Sequence, residues 1–246
     1  MSAPLVYLIL GAAGSGRRDL VKDLALFGLD PEGRPQVFVA ERSLGAPGEA
    51  QRKEGEDSGI ASWSMIAGNL RIEVDPETTH LFIVSDGRTD PVDQVEALKN
   101  WLPITPFELG RIITVVNCRL LDANASLRRW YDACIHFSDV VLLNKREGLS
   151  SKWVPAFIAR LHQNGLPCHV ELVKKGRVAN PALLLYPEPR RISLVFDDEE
   201  HLYPDDDDTS DEEAVTRMID PYFERLLSGR RRKELPDINK FLESEE

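Results

Sequence analysis

The residues with the clearest chemical pattern lie at 11–19, where the chain reads GAAGSGRRD. Gly11 and Gly16 occupy both glycine positions of the phosphate-loop pattern G-x-x-x-x-G-K-[ST]. Glycines let the backbone N–H groups of such a loop turn toward one point, and the N-terminus of the following helix adds partial positive charge. The pattern therefore predicts a loop that attracts phosphate. A glycine-rich turn from strand to helix without any ligand is the alternative that it leaves open.

The loop departs from the pattern at its last two positions. Arg17 stands where a lysine would reach the outer phosphates, and Arg18 stands where a hydroxyl would ligate magnesium. A guanidinium can bind phosphate through two N–H groups, but it is larger than an ammonium and aimed differently. It has no lone pair to offer a metal. The sequence therefore predicts an anion site that is poorly suited to magnesium, with no catalytic or metal-binding residue.

A second motif, Asn144-Lys145-Arg146-Glu147, directly follows the apolar run at 140–143. It resembles the Asn-Lys-x-Asp motif with which GTPases read guanine: the asparagine contacts the base edge, the lysine packs over the ring and the acid accepts hydrogen bonds. Glu147 supplies the same carboxylate one methylene further out. The motif therefore predicts GTP or GDP as the ligand.

Composition excludes several classes of protein. The chain has 246 residues, with 41 Asp and Glu against 30 Lys and Arg and a formal net charge of -11. This charge disfavours binding to nucleic acids and to anionic membranes, because both are polyanions. The apolar start at 5–10 is too short for a signal peptide, and no run approaches the roughly 20 apolar residues of a membrane helix. We therefore expect a cytoplasmic protein with three free, mostly buried cysteines in a reducing compartment.

The order of elements predicts an α/β fold. Strands are expected at 4–10, 36–40, 70–74, 80–84, 111–117, 139–143 and 169–173, with a turn at 75–78. Helices are expected at 19–29, 91–102, 127–137 and 153–162, with Asp90 as the N-cap of the second. Residues 44–58 have the composition of a loop or insertion. Strands that alternate with helices indicate a three-layer, doubly wound, mostly parallel sheet of the P-loop NTPase type.

The character of the chain changes near residue 185. We predict a P-loop NTPase-like domain at 1–185 and a C-terminal extension at 186–246. The extension is expected to hold a strand at 190–196, an acidic loop at 197–213, a helix around 218–227 and a basic run at 230–233. A solvated loop explains the acidic tract, while a site for a cation or a basic protein partner is the alternative.

Four blocks together resemble the nucleotide-binding domain of CobW-like GTPases, a family of metal-insertion and cofactor-assembly proteins. The blocks are residues 11–18, VSDGRTDP at 84–91, VVNC at 115–118 and 138–147, and the resemblance covers about residues 5–175. It implies a nucleotide site formed by Gly11, Ala12, Ala13, Gly14, Ser15, Gly16, Arg17, Arg18, Gly87, Asn144, Lys145 and Glu147.

The chain departs from this family at the positions that bind the metal and the γ-phosphate. Besides Arg17 and Arg18, Val84 replaces the acidic residue of the second block, although Asp86 lies two positions further on. The family's Cys-x-Cys-Cys motif is missing, because no cysteine precedes Cys118. The expectation is a degenerate GTPase-like protein with weak or no hydrolysis that acts as a switch or assembly scaffold. A nucleotide-free platform for protein partners is the alternative, and a phosphotransferase or nucleotide kinase in which both arginines clamp phosphates is a third.

Overall fold

A parallel sheet forms the centre of the protein. The computed structural model describes residues 3–41, 60–197 and 220–242. The strands are β1 (Leu5–Leu10), β2 (Pro35–Ala40), β3 (Ile60–Ile66), β4 (Asn69–Arg71), β5 (His80–Val84), β6 (Glu108–Asn117), β7 (Val140–Asn144) and β8 (His169–Leu172). The helices are α1 (Arg17–Phe27), α2 (Pro91–Trp101), α3 (Cys118–Ala123), α4 (Arg128–His136), α5 (Trp153–Gln163) and α6 (Pro181–Leu185).

The strand order is β4-β3-β2-β5-β1-β6-β7-β8. Every neighbouring pair is parallel except β3 and β4, which are antiparallel. Strand β1 lies between β5 and β6, so the chain builds the sheet outward from β1 in both directions. Parallel neighbours require crossover connections, which the helices between the strands provide.

Side chains of β1 show how the layers form. Val6, Leu8 and Leu10 point to one face, while Tyr7 and Ile9 point to the other, and all are almost fully buried. The first face packs against apolar residues of α2, α3, α4 and α5, and the second against those of α1 and α6. A strand buried on both faces explains the continuous apolar run that the sequence shows at this position. The predicted three-layer, doubly wound fold is confirmed.

The start of α2 follows the prediction closely. Asp90 has extended backbone, and its carboxylate accepts a hydrogen bond from Val92 N at 2.8 Å. Pro91 occupies the first turn, where no intrahelical N–H bond is lost. The predicted N-cap is therefore confirmed.

The region from 60 to 84 differs from the prediction. Sequence analysis missed β3, and the strand predicted at 70–74 extends only over Asn69–Arg71. This strand pairs with β3 through a tight turn in which Ala67 and Gly68 have positive φ, whereas β5 lies between β2 and β1. The predicted turn at 75–78 connects β4 to β5, which are not neighbours in the sheet. Gln36 of β2 accepts hydrogen bonds from Asp75 N and Thr78 Oγ1, so the turn lies against the start of β2.

Two predicted elements near the C-terminus are wrong. Residues 190–196 form no strand, because the Asp139 carboxylate accepts hydrogen bonds from Arg190 N and from the Arg191 guanidinium and holds this stretch in turns. The described part of the predicted helix at 218–227 also forms turns. Here the chain reverses at Gly229, which has a positive φ, and Arg225 pairs with Arg231 across the reversal.

Residues 220–242 pack against the first face of the sheet domain. The ring of Phe223 stacks on Phe137, the residue after α4, with ring centroids 5.5 Å apart, and Ile238 is buried in the same core cluster. Arg231 donates to carboxylate oxygens of Asp93 and Glu96 on α2. The division into 1–185 and 186–246 stays a prediction. The loop predicted at 44–58 and the acidic tract beyond Asp197 lie outside the described residues.

All three cysteines are free and buried, as expected. Over the ranges that the structure describes, no helix has the length and apolar character needed to cross a membrane.

Candidate functional site

The predicted phosphate loop, residues 11–16, connects the carboxyl end of β1 to the first residue of α1. The carboxyl ends of β5, β6 and β7 lie on the same edge of the sheet, because these strands are parallel to β1 or to its neighbours. In open α/β sheets, ligands bind at this edge, where the strand order reverses. The fold therefore places the loop at the position where such proteins bind their ligands.

Glycine is required along this loop by its backbone geometry. Gly11, Gly14 and Gly16 have φ values of 135°, 74° and 88°, a region that other residues enter only at a cost. A Cβ added to Gly11 would collide with the main-chain oxygen of Val115. Inside the loop, Ser15 Oγ is buried and has no hydrogen-bond partner among the described residues. A cradle of glycines around an unpaired buried hydroxyl fits a small anion such as a phosphate group.

Asn144 connects the second motif to this loop. Its Nδ2 atom donates to the main-chain oxygen of Ser15 at 2.8 Å, and a Cβ on Gly16 would lie 2.6 Å from the same nitrogen. Lys145 follows with a positive φ of 52°, and both Lys145 and Glu147 are exposed beyond the end of β7. The structure thus brings Asn144 into contact with the loop, while Lys145 and Glu147 follow it along the chain as exposed residues. Their role in reading a base stays a prediction.

Arg17 does not point to solvent. Arg17 is only 4% exposed, and its Nη1 atom donates hydrogen bonds to Ser85 O at 2.5 Å and to Ser85 Oγ at 2.6 Å. Its Nη2 atom donates to Asp86 O at 3.3 Å. The guanidinium at the lysine position of the phosphate-loop pattern is therefore bound to the turn that follows β5.

Gly87, in the same turn, makes a second contact with the phosphate loop. Its main-chain oxygen accepts a hydrogen bond from Ala13 N at 3.0 Å. Gly87 is buried with a φ of 65°, and an added Cβ would lie 2.6 Å from Gly11 O and 2.5 Å from Arg17 Nη2. One N–H group of the phosphate loop is thus engaged by the protein's own main chain.

Asp86 stabilises the turn that carries Gly87. Its Oδ1 atom accepts hydrogen bonds from Arg88 N, Thr89 N, Thr89 Oγ1 and Gln94 Nε2, over distances of 2.9 to 3.1 Å. Asp86 lies two positions after Val84, which stands in the place of the acidic residue of the second block. In the structure its carboxylate holds the turn and the first part of α2 together.

The residues at this site do not fit a magnesium ion of the phosphate-loop type. Arg17 and Arg18 are cations without a lone pair for a metal, and Ser85 Oγ, an oxygen near the loop, already accepts from Arg17. Across residues 3–41, 60–197 and 220–242, no group of three or more His, Cys, Asp and Glu could hold a metal ion.

Three further residues, not predicted from the sequence to belong to the site, also shape it: Ser85, Asn117 and Tyr131. Asn117 ends β6 beside Asn144, and its main-chain N–H donates to the Tyr131 hydroxyl at 3.1 Å. Burial raises the pKa of Tyr131, so this hydroxyl stays neutral. Asn117 could have been found as a polar residue at the end of an apolar run. Nothing in the sequence distinguishes Ser85 or Tyr131 from an ordinary turn or core residue.

Comparisons with known proteins concern the fold alone. No protein-family profile matches the chain, and no curated protein matches it in sequence. Among solved structures, it is similar to a zinc-bound YjiA GTPase from E. coli, with a TM-score of 0.41 and 15% identity over 77% of this chain and 67% of that one. A zinc-bound triple mutant of the YjiA GTPase gives a TM-score of 0.44 at the same identity and coverage. At these values the likeness carries no argument about activity.

The fold itself rests on the arrangement described above: a mostly parallel sheet with helices on both faces, and a glycine loop between the central strand and the first helix. By its strand order and the place of its phosphate loop, the chain has the α/β fold of the P-loop NTPases, as its resemblance to CobW-like GTPases implied.

Proposed function

We propose that this protein binds a guanine nucleotide at the loop 11–16 with little or no hydrolysis and acts as a nucleotide-dependent switch or assembly scaffold. The observation that carries the proposal is the contact of Arg17 with Ser85 and Asp86. It puts a fixed positive charge at the loop in the place of a mobile lysine. The site thereby keeps a positive charge that attracts phosphate, while it lacks, at position 18, a hydroxyl that could ligate magnesium.

Binding is supported by the backbone of the loop. Gly11, Gly14 and Gly16 retain the positive φ values that a phosphate cradle needs, and the buried, unpaired Ser15 Oγ lies inside it. Helix α1 begins directly after the loop and adds the partial positive charge of its N-terminus. These features are worth little to a protein without an anionic ligand, because positive-φ loops and unpaired hydroxyls destabilise the folded state.

Slow hydrolysis follows from the chemistry of phosphoryl transfer. Magnesium and the lysine neutralise the charge that develops on the transferred phosphoryl group. Arg18 supplies no metal ligand, and Arg17 is tied to the turn after β5. We therefore expect hydrolysis several orders of magnitude slower than in ordinary GTPases.

Selectivity for guanine is supported by the position of Asn144. Its contact with Ser15 O fixes the end of β7 against the loop, and the exposed Glu147 follows three residues further along the chain. A carboxylate accepts hydrogen bonds that guanine donates and adenine does not.

Thermal unfolding with GDP, GTP and ATP tests this function. A ligand at one hundred times its Kd stabilises the folded state by about 2.7 kcal/mol. We expect a rise in melting temperature with guanine nucleotides, little change with ATP, and loss of the rise in Glu147→Ala. Glu73→Ala is the matched control, since Glu73 is an exposed glutamate next to β4. A guanine-dependent rise that survives in Glu147→Ala would reject the base-reading role.

A second candidate, a nucleotide-free platform for protein partners, is favoured by one observation. Ala13 N already donates to Gly87 O, and Arg17 is satisfied by main-chain oxygens of the same chain. In that case the acidic C-terminal region would supply the partner surface. The absence of any melting shift with every nucleotide, in magnesium and in EDTA, would support this candidate over the first.

A further inference from the structure

The turn at 85–88 contacts the phosphate loop at Ala13 and Arg17. In phosphate loops, the lysine at the position of Arg17 reaches the β- and γ-phosphates. Here the Arg17 guanidinium instead donates hydrogen bonds to Ser85 O, Ser85 Oγ and Asp86 O. The outer end of the cradle is therefore filled by the protein's own main chain.

Little space remains between this turn and the loop. A single Cβ added to Gly87 would lie 2.6 Å from Gly11 O and 2.5 Å from Arg17 Nη2, which is closer than real Cβ atoms approach other atoms. A phosphoryl group is larger than a methyl group. A γ-phosphate can thus enter between Gly87 and Ala13 only if the turn moves and the hydrogen bond from Ala13 N to Gly87 O breaks.

The turn is built to stay in this position. Asp86 is 4% exposed. Its carboxylate accepts hydrogen bonds from the main-chain N–H groups of Arg88 and Thr89 and from Gln94 Nε2 on α2. From the C-terminal segment, Asn239 Nδ2 donates to Arg88 O at 2.9 Å. Movement of the turn would disturb a network that reaches from α2 to residue 239.

The opposite side of the loop is open. Gly14 is exposed, and a Cβ added there would meet nothing within 4 Å. Asn144 contacts the loop at the next residue, Ser15, and helix α1 begins two residues further on, so the N-terminus of α1 is on this side. The loop is thus accessible at Gly14 and closed by contacts where it meets the turn at 85–88.

We propose that the site selects a nucleoside diphosphate over the corresponding triphosphate, and that it does so without magnesium. This inference rests on the proposed function, since it concerns the same loop. Selectivity arises from the turn at 85–88, which Asp86 and Asn239 hold against the loop. Arg17 and the loop N–H groups neutralise the diphosphate.

Isothermal titration of the full-length protein with GDP, GTP and GMP in EDTA tests this selectivity. We expect GDP to bind at least about tenfold more tightly than GTP, which corresponds to about 1.4 kcal/mol. GTP that binds as tightly as GDP, or more tightly, would overturn the inference and leave the proposed function intact. Failure of all three ligands to bind would overturn both.

A variant at Asn239 tests whether the turn at 85–88, and no other feature, causes the selectivity. Asn239→Ala removes the hydrogen bond to Arg88 O from an exposed position. We expect the ratio of GDP to GTP affinity to fall severalfold, mainly through tighter GTP binding. Asn100→Ala, an exposed asparagine at the end of α2, is the matched control and should leave the ratio unchanged. An unchanged ratio in Asn239→Ala would contradict the role of the turn.

Discussion

The guanidinium of Arg17 donates to the main-chain oxygen of Ser85 at 2.5 Å, across the gap between the first residue of α1 and the end of β5. This contact joins the two sequence blocks that a P-loop enzyme uses for the outer phosphates and the metal. It explains how a protein can keep the glycines of a phosphate loop while its lysine and hydroxyl are replaced. The positive charge of the loop remains, but the Arg17 guanidinium that carries it is hydrogen-bonded to Ser85 and Asp86.

Restoring the phosphate-loop pattern should restore dependence on magnesium. In the double variant Arg17→Lys/Arg18→Thr, an ammonium cannot span both Ser85 and Asp86, and the new hydroxyl can ligate the metal. We expect GTP affinity in magnesium to exceed that in EDTA by about tenfold or more, measured by titration calorimetry. Arg18→Thr alone is the control, with a smaller effect because Arg17 still holds the turn. Equal GTP affinity with and without magnesium in the double variant would contradict this explanation.

Substitution of Gly87 should test how closely the turn approaches the loop. Gly87→Ala places a methyl group against Ala13 N and 2.6 Å from Gly11 O, at a φ of 65°. We expect it to lower the free energy of unfolding by about 3 kcal/mol, since steric overlap adds to the 1–2 kcal/mol typical of a left-handed residue. Gly148→Ala is the control. Its φ of 84° carries the same cost of a left-handed residue, but no atom lies within 4 Å of the added Cβ, so there is no steric overlap. Urea unfolding compares the two, and equal losses would show that the turn is not tightly packed.

Neighbouring arginines should differ in how strongly they hold the C-terminal segment. The Arg231 side chain is 7% exposed and contacts Asp93 and Glu96, whereas that of Arg230 is 69% exposed and pairs with Glu234. Arg231→Ala removes a buried guanidinium from two partly exposed carboxylates, and Glu96 keeps its contact with Arg225. It should therefore cost about 1–2 kcal/mol, against about 0–1 kcal/mol for Arg230→Ala. Limited proteolysis should cut the C-terminal segment faster in Arg231→Ala alone. Similar cleavage rates in both variants would contradict this difference.

The contact between His136 and Asp220 should make stability depend on pH in the acid range. Burial raises the pKa of Asp220, but hydrogen bonds from His136, Ser193 and Tyr222 N–H outweigh it, so the net pKa lies below the usual value. A carboxyl with a lowered pKa contributes stability above its unfolded pKa, near 4, and loses it as the pH falls through the folded value.

Asp220→Asn should therefore lower the free energy of unfolding by about 1–3 kcal/mol at pH 7 and flatten its fall below pH 4. Urea unfolding from pH 7 to pH 3 measures both effects. Asp122→Asn, at an exposed aspartate of α3, should match the unchanged protein throughout. An Asp220→Asn protein that loses stability as steeply as the unchanged one below pH 4 would exclude the contact as the cause.

Strong local signals explain what could be predicted from the sequence. The apolar run of β1 and the Asp90-Pro91 helix start are short-range features, and both are confirmed. The glycines at 11, 14 and 16 have positive φ in the turn from β1 to α1, while their role in binding phosphate stays a prediction. Strand β3 was missed because its residues 60–66 mix polar and apolar side chains, and only Trp63 among them is fully buried next to the short edge strand β4. Its pairing with β4 depends on a turn whose positive φ at Ala67 is not typical of alanine.

The details of the site depend on contacts between residues far apart in the chain. Asn144 and Ser15 are 129 positions apart, and Arg17 and Ser85 are 68 positions apart. A sequence motif can place Asn144 at the end of a strand, but it does not show which oxygen its amide will contact. Likewise, an arginine at the lysine position predicts altered chemistry, while the structure adds that Arg17 bonds to the turn after β5.

The measurement that tests the central claim most directly is a titration of the protein with fluorescent GDP and ADP analogues, each in magnesium and in EDTA. We expect saturable binding of the GDP analogue with the same Kd in both buffers, and binding of the ADP analogue at least about tenfold weaker. This result would support a guanine site in which Arg17 replaces the metal. Binding of the GDP analogue that is lost in EDTA, or no binding of either analogue at high micromolar protein, would contradict it.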